Sequence, residues 1–167
     1  MTINSEKSTV KLLLLRYIIL LLLVLVSGVF WGTWFSLSRS MEEFSSAEFI
    51  HIGKIIIKNV AWPMRILMPT TILLMLINLW LHPIKKSWAF LLYVQSLILF
   101  VVTLLITVLI LVPLDYQIKE WTVTSIPANW GSLRDRWQFY HTIRTFLCLG
   151  SFATFLYSTL FLTNKEG

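Results

Sequence analysis

Charge is scarce in this chain and cysteine is almost absent. Only 13% of the 167 residues are Asp, Glu, Lys or Arg, where roughly a quarter is usual for a globular protein. That excludes a water-soluble surface around an ordinary core and leaves no room for a large water-facing catalytic domain. The single cysteine, Cys148, lies within an apolar run, which excludes both an intramolecular disulfide and a cysteine-built metal cluster. No His-x-x-x-His pair is present, so a zinc site on one helix face has no foundation. Internal repeats are also missing, and the run 88–112 holds no charged residue; both features argue against a transporter.

What the chain has in abundance is apolar surface. Hydrophobic residues make up 57%, there are eight tryptophans, and mean hydropathy is +0.77. The solvent that suits such a chain is a lipid bilayer, and the length fits one domain of four spans at about 20 residues each. The fold class expected is all-α, a four-helix transmembrane bundle. Fourteen Lys and Arg against eight Asp and Glu give +6. These cations are scattered at the ends of apolar runs, where they anchor helices, and they form no contiguous basic face for nucleic acid.

The spans read as residues 12–35, 62–81, 88–112 and 145–163. The first is too long for the apolar core of a signal peptide, about 7–15 residues, and is read as retained. Pro63 and Pro69 are expected to make the start of the second span kinked or irregular, and Pro113 to close the third. The short connection with Lys85 and Lys86 carries no acid, which places it in the cytoplasm together with both termini, where Lys7, Lys11 and Arg16 face Glu6 alone. The expected location is the plasma (inner) membrane. Connections 36–61 and 113–144 then lie outside and are expected to carry interfacial helical extensions.

Those connections hold the informative residues. Ser132-Leu133-Arg134-Asp135 resembles a capping box, so the last helix is expected to start near Leu133. On it Arg134, Trp137, His141, Arg144, Cys148, Ser151 and Phe155 fall within an arc of about 100°. Arg144 directly precedes the apolar run, a depth at which a cation usually faces a partner or a cavity. A second stripe, His51, Lys54, Lys58 and Arg65, follows another capping signal at Ser45 to Glu48, with Asn59, Trp62 and Arg65 around an irregular turn. Its alternative is a lipid-facing interfacial helix. If both stripes turn inward, a cationic pocket walled by Trp137 and Trp130 would suit a flat aromatic or quinone-like lipophilic ligand with a developing negative oxygen. Gly28 and Gly32 form a GxxxG read as bundle packing in preference to a dimer face. His82 reads as a solvated interface residue, and Met64, Met68 and Met75 as core or lipid-facing.

Pro113-Leu114, Trp130, and then Arg134-x-Arg136-Trp137-x-x-x-His141-x-x-Arg144-Thr145 resemble the anthrone oxygenase-like family of small four-helix membrane proteins. Asp115 stands where that pattern leads one to expect asparagine. The resemblance implies oxidation of anthrones to anthraquinones by dioxygen with no metal or organic cofactor, and it makes Trp137, His141 and Arg144 site residues. A matching mechanism has His141 as the base and Arg144 as the enolate's stabiliser, with Arg134, Arg65, His51 and Trp130 as further binding residues. Two other readings stand beside it. One is a non-enzymatic helper subunit or lipid-interacting bundle with a membrane-protein partner or as a homo-oligomer; the other is a haem protein ligated by His51 and His141.

Overall fold

Leu, Ile, Val and Phe dominate each apolar segment, and the computed structural model turns each into a long helix. It describes residues 2–162, with side chains from Val10 onward; Thr163, the polar tail Asn164 to Gly167, and the side chains of Glu6 and Lys7 lie outside the described residues. In chain order these are α1 (Thr2–Ser36), a 3-10 segment (Ser38–Glu43), α2 (Ser46–Leu81), α3 (Trp88–Ile106), a π-helical segment (Thr107–Leu111), α4 (Val112–Glu120), α5 (Trp130–Tyr157) and a second π segment (Ser158–Leu162). There is no strand among the described residues, and four helices are long and apolar enough to cross a membrane.

The helices are longer than a bilayer needs. α2 has 36 residues, about 54 Å at 1.5 Å per residue, against a hydrocarbon core of about 30 Å. The excess gathers at one end, where α4 and the first turns of α2 and α5 pack with the 3-10 segment around Met41, Phe49, Ile57, Leu114, Ile118 and Trp121. A separate core follows the spans, through Leu23, Phe30, Met64, Met68, Met75, Phe100 and Phe155. Met64, Met68 and Met75 are therefore core residues. Leu14, Leu25, Leu73, Leu105 and Leu109 stay exposed, as lipid-facing side chains do.

Local chemistry sets the helix ends, and two of them differ from expectation, as does the course of α2. At Ser45 the capping box forms as read: Ser45 N donates to Glu48 Oε2 at 2.9 Å while Glu48 N donates to Ser45 Oγ at 3.4 Å. α2 then runs unbroken through Pro63 and Pro69, so no irregular turn surrounds Arg65. The carbonyls these prolines free belong to Asn59 and Arg65, both on exposed positions where other partners can satisfy them. Pro113 does not close the third span. The chain widens into the π segment just before it and continues as α4 with Pro113 in its first turn. Ser132 caps nothing, since α5 begins at Trp130 behind Asn129, and Asp135 pairs instead with Arg134 at 2.8 Å.

The tightest helix pair is α3 with α5. Ser96 Oγ donates to the Ser151 carbonyl at 2.8 Å and Ser151 Oγ returns a bond to the Ser96 carbonyl at 2.9 Å. A Cβ built on Gly150 would meet Leu99 at 3.6 Å. Small polar residues thus bring two backbones together where lipid offers no hydrophobic drive. Gly28 and Gly32 behave differently: both are exposed, and a Cβ on either meets nothing within 4 Å, so the GxxxG carries no packing inside the bundle. His82 is not a solvated residue. It is buried at the α2–α3 end against the rings of Phe90 and Tyr93, at 5.7 and 5.5 Å. Arg16, which reads as an ordinary end charge, is buried there too, donating to Asn78 Oδ1 at 3.2 Å with its guanidinium 5.2 Å from the Tyr93 ring.

Candidate active site

Arg144 sits midway along α5, and residues from three elements fix its guanidinium. Its Nε and Nη2 donate to His141 Nδ1 at 3.1 and 3.0 Å, one turn back on the same helix. Nη1 reaches Thr107 Oγ1 in the π segment at 3.4 Å, and the guanidinium carbon lies 4.3 Å from the centre of the Phe30 ring on α1. Thr107 faces inward one turn after buried Thr103, at the start of the π segment, a distortion common at functional sites.

What Arg144 faces is a cavity of about 240 Å³, large against the 10–15 Å³ or so that one water needs. Its apolar wall is Phe30, Val60, Met64, Met68, Leu104 and Val108. Its polar side is Arg65 on α2, Asp115, Tyr116 and Lys119 on α4, Thr107, and Trp137 with Arg144 on α5. The exposed lining residues, Arg65, Pro69, Val108, Tyr116 and Lys119, belong to α2 and to the α3–α4 region. The cavity therefore opens sideways between these helices.

Polar contacts organise that side. Trp137 Nε1 donates to Asp115 Oδ1 at 2.9 Å, tying α5 to α4. Arg65 Nη2 donates to the Tyr116 hydroxyl at 3.4 Å, and Lys119 Nζ lies 5.3 Å from the Tyr116 ring centre. Trp137 stacks on His141, with centroids 4.8 Å apart and planes 24° from parallel. Behind Trp137 lies a smaller apolar void of about 20 Å³ between Met41, Phe49 and Ile118. Lys54 Nζ donates to the Trp121 carbonyl at 2.7 Å and pins the connection that follows α4.

The residues singled out in the sequence divide into two groups. Arg65, Trp137 and Arg144 line one cavity. His141 is fully buried just behind it and reaches the cavity only through Arg144. Because an arginine can only donate, His141 Nδ1 must hold a lone pair and the ring proton sits on Nε2, which has no hydrogen-bond partner among the described residues. The lone pair expected to act as base is thus already committed to Arg144. Arg134, Trp130 and His51 lie elsewhere. Arg134 packs over Trp130 at 5.3 Å and pairs with Asp135, Trp130 meets Phe49 at 6.0 Å, and His51 is exposed; none of the three lines the cavity. His51 is exposed on α2 while His141 is fully buried on α5, and neither lines the cavity. Glu48 and His51 have Glu-x-x-His spacing, but Glu48 is engaged in the α2 cap, and no group of three His, Cys, Asp or Glu that could hold a metal occurs among the described residues. Asp115, Tyr116 and Lys119 escaped the sequence reading of the site because Pro113 was expected to end the helix that carries them.

The fold defines a small four-helix membrane protein with a laterally open cavity lined in part by arginines. The sequence pattern of the anthrone oxygenase family matches residues 57–154, more than half the chain, and the protein belongs to that family. The matched stretch includes Arg65, Asp115, Trp137, His141 and Arg144 but not Phe30. No curated protein and no solved structure matches the chain.

Proposed function

We propose that the protein oxidises a lipophilic, flat polycyclic substrate of the anthrone class with dioxygen, in the plasma membrane, with the Lys85–Lys86 end and both termini in the cytoplasm. In such a reaction the ring CH2 becomes a carbonyl; one oxygen atom of O2 enters it and the other leaves as water with the two hydrogens. The observation that carries this reading is Arg144, held by His141, Thr107 and Phe30 and presented to a largely apolar cavity. A cation fixed where charge develops lowers the barrier to an enolate, which is the form of an anthrone that reacts with oxygen. His141 acts by aiming Arg144. Arg65 supplies a second cation at the cavity's edge, and Trp137 gives a flat wall. A lateral opening suits a substrate dissolved in the bilayer. Lysine positions support the orientation.

The test is purified protein in lipid nanodiscs, supplied with 1,8-dihydroxyanthrone in air, with quinone absorbance and oxygen uptake followed together. One quinone formed per O2 consumed, at a rate above that of empty nanodiscs, is expected. A rate no greater than the empty discs would remove the enzyme reading and leave the helper-subunit role.

A further inference from the structure

The geometry points to Asp115 as the group that takes the proton from the substrate carbon, a role that rests on the functional reading above. Three observations carry it. Asp115 is the one carboxylate among the described residues that lines the cavity, and it shares that lining with Arg144. Its Oδ1 is held by Trp137 Nε1 at 2.9 Å, so the carboxylate is oriented by α5 while Oδ2 makes no hydrogen bond to a described residue. His141, the other conceivable base nearby, spends its accepting nitrogen on Arg144 and does not line the cavity.

In the step assigned, the C–H bond of the acidic methylene breaks and its proton forms an O–H bond to Asp115 Oδ2. The electron pair passes into the ring carbonyl, whose oxygen becomes the enolate oxygen facing Arg144. Dioxygen then oxidises the enolate, and the Asp115 proton leaves with the water formed. Base and oxyanion holder thus come from different helices, α4 and α5, joined by the Trp137–Asp115 bond. The charged or titratable groups sharing the cavity with Asp115 are Arg144 from α5, Arg65 from α2, and Tyr116 and Lys119 from α4 itself.

The experiment separates proton removal from oxidation. Wild type and D115N in nanodiscs are given 1,8-dihydroxyanthrone under nitrogen in D2O, and deuterium exchange at the methylene is followed by mass spectrometry across pH, with oxygen uptake measured separately in air. Asparagine keeps an Oδ1 acceptor for Trp137 and loses the basicity, so D115N should lose about a hundredfold or more in exchange rate. Its residual exchange should climb with hydroxide where wild type is level. D115E, which retains a carboxylate, should keep exchange well above D115N. D115N exchanging as fast as wild type, or D115E as inert as D115N with a wild-type unfolding temperature, overturns the assignment of Asp115 alone. Wild type that neither exchanges nor takes up oxygen overturns the functional reading and this role with it.

Discussion

Arg144 gives two hydrogen bonds to a single atom, Nδ1 of His141, at 3.1 and 3.0 Å, from one turn further along the same helix. The pair therefore needs no neighbouring element to form, and only its surroundings decide what it does. Thr107 and Phe30 turn the guanidinium toward the cavity, while the stacked Trp137 ring covers the imidazole.

A positioning histidine and a basic histidine respond differently to substitution. H141Q offers an amide oxygen that can accept from Arg144, and it should retain within about tenfold of wild-type kcat, whereas H141A should fall by about a hundredfold. Quinone formation in nanodiscs measures both. An H141Q protein as inactive as H141A would return the proton-accepting role to His141.

Arg144 itself should be the most sensitive position. R144A should lower kcat by about 10²–10³, the usual loss for a fixed donor to a developing oxyanion. R144K should recover only part of this, since an ammonium cannot bond His141 twice in one plane. Steady-state oxygen uptake decides it, and an R144A variant at wild-type rate would remove the oxyanion role.

Access to the cavity should be steric. Val108 is 50% exposed at the cavity's edge, so V108W adds bulk without overpacking the core. It should raise KM for the anthrone several-fold while leaving the thermal unfolding temperature within a degree or two. Unchanged KM would mean that substrate does not enter between α2 and the α3–α4 region.

The Ser96–Ser151 pair should matter for stability and little for chemistry. S96A removes the two contacts of Ser96 Oγ with the Ser151 carbonyl and hydroxyl, leaves the bond from Ser151 Oγ to the residue 96 carbonyl, and should cost about 1 kcal/mol, near the range measured for interhelical hydrogen bonds in membranes. S96L should cost more, because its side chain must fit where the backbones lie closest. Unfolding in detergent, followed by far-UV circular dichroism, compares the two.

Orientation can be read with single cysteines in a C148S background. A cysteine at Thr124, in the exposed connection after α4, should react with a membrane-impermeant maleimide on intact cells, and one at Lys86 only after lysis. The reverse pattern would invert the assigned topology.

The sequence by itself determined the solvent, the number of long apolar spans and the family. Four apolar runs with so few charges have one stable arrangement in lipid, because every backbone N–H and C=O must be satisfied within its own helix. The Trp137, His141 and Arg144 spacing already placed three residues on one face, since it depends only on the period of a single helix. Tertiary structure decided what that face meets. Pro63 and Pro113 looked like breaks because local rules penalise proline inside a helix. The surrounding elements instead carry α2 through one and widen the chain ahead of the other, and the second brings Asp115 to Trp137. Arg134, Trp130 and His51 share the chemistry of the site residues but not their location, as they stand beyond the cavity at the bundle's extended end. Arg16 and His82 show the same limit from the other side. A residue's type and its distance from a span end do not say whether a neighbouring helix will cover it, because that depends on which faces of the four helices turn toward one another.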